Sequence, residues 1–133
     1  MTWGAEQLDR IGRAPELTIT TARGDGSLPR PVPVWVVRVD DAVYVRTWYA
    51  RDTGWYGRAT AAGRARIRVD GYEGEVGVRR VGADSTSLRS RIDTAYRDKY
   101  GGSGGMTSHA AAASTLRLDC APETADPSPV RPA

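Results

Sequence analysis

The hydrophobic pattern along this chain changes period several times, and each change marks an element. "GAEQLDRIGRA" (4–14) places Leu8 and Ile11 on one side of a short helix, which Pro15 ends. "ELTITT" (16–21) is β-branched and predicts a first strand. "ARGDGSLPRPVP" (22–33) is rich in Gly and Pro and predicts a turn and connector. "VWVVRVDDAVYVRTW" (34–48) predicts two strands around Asp40-Asp41. With those two residues as the turn, Val39 faces Ala42, Val37 faces Tyr44 and Trp35 faces Arg46. The other face carries Val34, Val36, Val43 and Val45 with Arg38 and Thr47. Both faces are largely apolar, so this hairpin is expected to be covered on both sides, for instance by a barrel core and a partner surface.

"GWYGRATAAG" (54–63) predicts a short helix closed by Gly63. In "RARIRVDGYEGEVGVRRV" (64–81) Asp70-Gly71 is a strong two-residue turn signal. Counting outward, Val69 faces Tyr72, Arg68 faces Glu73, Ile67 faces Gly74, Arg66 faces Glu75 and Ala65 faces Val76. Arg66 and Arg68 thereby gain opposite-charge partners, which assigns them to the sheet rather than to a ligand. "DSTSLRSRIDTAYRDKYG" (84–101) repeats Leu88, Ile92, Ala95 and Tyr96 at helical spacing, with Arg89, Asp93 and Arg97 four residues apart. "GGSGGMTSHAAAA" (101–113) predicts a flexible loop with at most one helical turn, and "STLRLDC" (114–120) a last short strand with Leu116 and Leu118 inward. Four prolines in the closing stretch predict a disordered tail over 121–133, leaving one domain over 1–120. Strands outnumber helices, and the class is mainly β with flanking helices (α+β).

Composition narrows the chemistry. Eighteen of the nineteen basic residues are Arg, which fits a GC-rich coding bias and weakens any case for nucleic acid from the net charge of +3. No apolar run is long enough for a membrane span. The opening "MTWGAEQLDR" has acidic residues and no apolar core of a signal peptide, and the lone Cys120 forms no internal disulfide. A cytoplasmic protein is expected. One His and one Cys make no metal-ligand cluster, so no metal is expected. Gly101-Gly102-Ser103-Gly104-Gly105 spells G-x-S-x-G but follows a helix, where a nucleophile elbow needs a strand before it.

The concentration of candidate chemistry lies in "RTWYARDTGWYG" (46–57), which holds Trp48, Tyr49, Trp55 and Tyr56 of the ten aromatics. Arg46 and Thr47 end a strand, and the helix opening near Trp55 offers free N–H groups that favour a phosphate. Arg51 and Arg58 add charge, and Trp35, Trp48 and Tyr49 offer walls for a flat ring. The parts suit a phosphorylated, ring-bearing ligand; the alternative is that these aromatics belong to the core or to a dimer interface. In "AYRDKYG" (95–101), Tyr96 and Tyr100 share a helix face and are candidate acids, as is His109.

"VWVVRVDDAVYVRTW", "WYGRATAAGRARI", "EVGVRRV" and "RIDTAYRDKYGGS" occur here in the order and spacing of an uncharacterised bacterial family, domain of unknown function 2255. The chain resembles that family over roughly residues 3–120. The resemblance implies a six-stranded split β-barrel of the flavin-binding superfamily, usually a homodimer, related to pyridoxamine-phosphate-oxidase-like and deazaflavin-dependent proteins. It implies FMN or coenzyme F420 as cofactor, with phosphate held by the end of the third strand and the helix after it, regions that match Arg46, Thr47 and Trp55–Arg58 here. Together with the residue reading above, the expected cofactor-binding set is Arg46, Thr47, Arg51, Trp55, Tyr56 and Arg58, and the expected substrate pocket is Trp35, Trp48 and Tyr49. The family carries no settled catalytic residues to transfer. After "KYGGS" this chain has "GGMTSHAAAA" where relatives tend to have an aromatic and a proline-bearing segment. Three functions follow as expectations: an FMN- or F420-binding oxidoreductase acting on a small organic molecule; a cofactor-free barrel that binds or cyclises a small metabolite; or a non-catalytic dimeric binding protein.

Overall fold

A computed structural model describes residues 3–21, 27, 29–47, 54–69, 72–81, 86–101 and 109–120. Seven strands and four helices occur among them, in the order α1 (Ala5–Arg13), β1 (Leu17–Thr20), β2 (Val32–Val34), β3 (Val36–Val39), β4 (Ala42–Val45), α2 (Trp55–Ala62), β5 (Arg64–Val69), β6 (Tyr72–Arg80), α3 (Thr86–Tyr100), α4 (His109–Ala113) and β7 (Leu116–Cys120). The strands form a single sheet in the order β2-β1-β5-β6-β7-β4-β3, and all its pairings are antiparallel.

The two ends of that sheet, β2 and β3, are separated in sequence by Trp35 alone. The chain therefore steps directly from one sheet edge to the other, and the sheet must curl until the edges meet. Counted as one bent strand, β2 and β3 bring the number to the expected six, and the sheet is a nearly closed barrel. The expectation that residues 22–33 are only a connector fails at its end, where Val32–Val34 pair with Leu17–Ile19. Pro33 hides this strand from a propensity reading, because proline is tolerated only where no ladder donor is needed.

Both long hairpins have the register that their turn residues imply. Val39 pairs with Ala42 and Val37 with Tyr44, and Asp40 takes the positive φ of 54° that the tight turn requires. In the second hairpin every pairing from Val69–Tyr72 to Ala65–Val76 is as counted; its turn, Asp70-Gly71, lies outside the described residues. Inward positions of the strands fill the barrel: Ile19, Val36, Val43, Val45, Val76, Leu116 and Leu118 have no exposed surface. Helix α1 closes one end through Leu8 and Ile11, with the Trp3 indole N–H donating to the Leu118 carbonyl at 2.9 Å and Arg38 paired to Asp9 at 2.8 Å. Helix α2 packs on β1, β5 and β6 and adds Tyr56 and Ala59 to the same core. Its C-terminus is stopped by Gly63 at φ 72°, a left-handed cap that glycine adopts without strain.

The second apolar face of the first hairpin is covered by the chain itself. Val37, Val39 and Tyr44 pack against Ile92 and Tyr96 of α3 in a second cluster outside the barrel. The expected partner surface is thus replaced, on this face, by an intramolecular helix. The two-sided apolar pattern reports two layers of one chain and gives no reason of its own to invoke a dimer.

Candidate functional site

Three places on the barrel gather chemistry, and the first is the seam between β2 and β3. A strand that leaves one edge for another breaks its ladder, and the backbone groups at the break need partners. The helix α3 supplies them. Tyr96 donates its hydroxyl to the Trp35 carbonyl at 3.0 Å, and Lys99 Nζ donates to the Val36 carbonyl at 2.6 Å. The Tyr100 hydroxyl accepts the Val36 N–H at 3.1 Å and donates to the Pro15 carbonyl at 2.8 Å. The Trp35 ring stacks on Tyr100 at 4.2 Å with planes 5° apart. "AYRDKYG" is therefore a staple across the barrel seam. Burial pushes both tyrosine hydroxyls above their ordinary pKa and pushes Lys99 down to about 8. Tyr96 and Tyr100, predicted as candidate acids, have their hydroxyls engaged with main chain. His109 opens α4.

Arg46 belongs to the same side. It continues β4 onto the outer face and is 1% exposed. Its guanidinium pairs with Asp93 of α3 at 2.5 Å, donates from Nε to Thr115 Oγ1 at 2.9 Å, and lies 5.5 Å from the centre of the Tyr96 ring. Thr115 in turn donates to Ala112 O at 2.6 Å. Next to it, Thr47 N–H donates to Ser114 Oγ at 3.0 Å. Arg46 is thus an internal clamp joining β4, α3 and the start of β7, rather than a solvent-facing hand for phosphate. Asp93 was expected to pair along its own helix. It keeps Arg89 at 4.0 Å but makes its short contact to Arg46, because a buried guanidinium needs a counter-charge more than an exposed one does.

The second place is the barrel rim where α2 begins. Gly54 precedes the helix and provides no side-chain cap, and the first turn contains no acidic residue. Trp55 is partly exposed and meets Tyr56 edge-on at 5.8 Å. Tyr56 is buried, and its hydroxyl pKa is raised by burial and moderated by Arg80. Arg58 Nε donates to Thr21 Oγ1, just beyond β1, at 3.0 Å. The predicted site residues thus fall into two groups, Trp35, Arg46, Tyr96 and Tyr100 beneath and on α3, and Trp55, Tyr56 and Arg58 on α2. Trp48, Tyr49 and Arg51 lie outside the described residues, as do Ser103 and the 121–133 tail.

The third place escaped the sequence reading. A recess of about 510 Å³ lies on the outer face of β1 and β5, walled by Pro29, Arg30 and Pro31 and floored by Thr18, Thr20, Arg66 and Arg68, with Glu73 at its side. Arg66 and Arg68 stand directly across from Glu75 and Glu73, as the register requires. Yet the ion pair that forms is the diagonal Arg66–Glu73 at 3.8 Å, between side chains 50% and 55% exposed. Such a pair is weak and leaves both arginines available. Only the folding of 29–31 against β1 brings a third arginine over them. The spacing of Arg66 and Arg68 was visible in the sequence, but the wall was not.

Fold and site together define a small antiparallel barrel whose described inward positions are buried apolar side chains. The chain belongs to the family described as an uncharacterized protein conserved in bacteria, DUF2255, whose model matches residues 7–118. Among solved structures it is similar to the conserved hypothetical protein Rv2991 from Mycobacterium tuberculosis, at 15% identity and a TM-score of 0.58, over 89% of this chain and 79% of that one. That likeness concerns the fold. No curated protein matches the chain. No described helix is long and apolar enough to cross a membrane.

Proposed function

We propose that this protein is a cofactor-binding barrel of the FMN or F420 type, acting as an oxidoreductase on a small organic molecule, with the cofactor's phosphate held at the rim where α2 begins. The observation that carries the reading is the start of α2. A helix N-terminus without a side-chain cap or first-turn acid favours an anion, and Arg58 adds a positive charge one turn further along. Trp55 offers a partly exposed flat surface beside it. These residues fit a phosphorylated ring.

When bound, such a cofactor supplies hydride or electron transfer, and the protein supplies position and electrostatics. Arg58, tethered to Thr21, would hold the anion, and Trp55 would flank the ring. Arg46 would act at one remove, by fixing the end of β4 from which the chain runs toward α2. Tyr96 and Tyr100 would hold the scaffold.

The test is titration of the purified protein with FMN and with F420, followed by absorbance and fluorescence. The reading predicts saturable binding to one of them, weakened roughly tenfold or more by Arg58→Ala, since a charge-assisted contact to phosphate is lost. Absence of binding to both cofactors refutes it and leaves the cofactor-free barrel.

A further inference from the structure

We propose that the recess on the outer face of β1 and β5 is a second binding site, separate from the α2 rim, for a small phosphorylated ligand that carries at least two negative charges and a hydroxyl-bearing sugar. Its charge balance is the first reason. Three arginines, Arg30, Arg66 and Arg68, and one carboxylate, Glu73, line about 510 Å³, while Glu75, across from Arg66, lies outside the lining. Among the described residues neither Arg30 nor Arg68 has an acidic partner within 4.0 Å, and the one pair that Arg66 makes is long and solvated. The floor and the wall thus place arginines on two sides of the same space. A single anion does not fill that volume; sites of this size hold small molecules with several polar groups.

Geometry is the second reason. Arg66 and Arg68 flank the inward-facing Ile67, so their Cα atoms are about 6.8 Å apart on one face, two rises of a strand. Arg30 is held opposite by Pro29 and Pro31, whose φ angles are restricted by their rings, and Thr20 Oγ1 ties that wall to β1 by donating to the Pro29 carbonyl at 3.0 Å. A pre-ordered wall lowers the entropy cost of gripping an anion. The third reason is Glu73. A carboxylate in an otherwise cationic recess repels bare phosphate, but it accepts hydrogen bonds from vicinal hydroxyls. Three cations with one acceptor-only group match a ligand with phosphates at one end and a sugar diol at the other.

Calorimetric titration of the full chain with pyrophosphate, ADP and adenosine separates these elements. ADP should bind best, pyrophosphate more weakly and adenosine not at all, with affinity falling at high salt. Arg30→Ala and Arg68→Ala should each weaken ADP roughly tenfold or more, with partial recovery in Arg68→Lys. Glu73→Ala should tighten pyrophosphate and weaken ADP. All three positions are exposed, so unchanged thermal midpoints should accompany these losses. Arg58→Ala should leave ADP binding intact, which keeps this site distinct from the rim. Failure of ADP and pyrophosphate to bind, or binding that responds to Arg58→Ala and ignores Arg68→Ala, overturns the proposal. An unchanged ratio of ADP to pyrophosphate affinity in Glu73→Ala overturns its sugar half.

Discussion

Removing the carboxylate of Asp93 strands a guanidinium that the fold has closed over. The Arg46 side chain has no exposed surface and Asp93 only 15%, and their contact is 2.5 Å. Breaking a buried pair from one side costs about 3–5 kcal/mol, because the remaining charge stays desolvated. Arg46 keeps Thr115 Oγ1 and the face of Tyr96, and Asp93 is the less buried partner, so Asp93→Ala belongs at the low end, about 3 kcal/mol. At roughly 4 °C per kcal/mol for a domain of this size, the thermal midpoint should fall by about 12 °C. Asp93→Asn keeps an acceptor and loses the charge, and should cost about half as much. The paired replacement Arg46→Met with Asp93→Leu should recover most of the loss, since an apolar pair of similar volume removes both charges from the interior. Urea unfolding of the wild type, Arg46→Met, Asp93→Leu and the paired replacement closes a double-mutant cycle. Hydrogen exchange in the Asp93→Ala variant should rise first along α3, the element that the pair pins to β4. A cost below about 1 kcal/mol for Asp93→Ala, with α3 still protected, would show that the pair is incidental and that Arg46 is free to serve a ligand.

Two further outcomes test the seam. Tyr100→Phe keeps the stack on Trp35 but removes the acceptor for Val36 N–H and the donor to Pro15, and should cost about 1–3 kcal/mol in urea unfolding; an unchanged midpoint would mean that other groups satisfy the break. Lys99 has a folded pKa of about 8 against 10.5 in the open chain, so between those values the unfolded state binds more protons. Stability should therefore climb from about pH 8 to about pH 9, below the unfolded tyrosines' value of 10.0, and Lys99→Met should flatten the climb; equal slopes in both proteins would contradict the desolvated lysine.

Much of the barrel was legible because sheet register is a local property. A two-residue turn sets every pairing that follows it, and so Asp40-Asp41 placed Val37 opposite Tyr44, and Asp70-Gly71 placed Arg68 opposite Glu73. The α3 helix and its apolar stripe of Ile92 and Tyr96 were visible for the same reason. Strand β2 was not, because three residues with a central proline carry no periodicity of their own and become a strand only when β1 offers them an edge.

The candidate sites divide along the same line. Residue types and spacings alone established that Arg46 sits at a strand end, that Trp55 opens a helix and that Tyr96 and Tyr100 share a face. Which of those groups meets solvent was decided by α3 folding over the outside of β3 and β4. That packing turned Arg46 from a ligand candidate into a clamp for Asp93, and Tyr96, Lys99 and Tyr100 into the staple of a seam. The converse happened at Arg66 and Arg68, which local pairing assigned to the sheet. Residues 29–31, more than thirty positions earlier in the chain, close a wall around them and make a recess. Periodicity and turn chemistry act between neighbours and are written in order along the chain. Burial and charge convergence join residues far apart in that order, so only the folded barrel settles them.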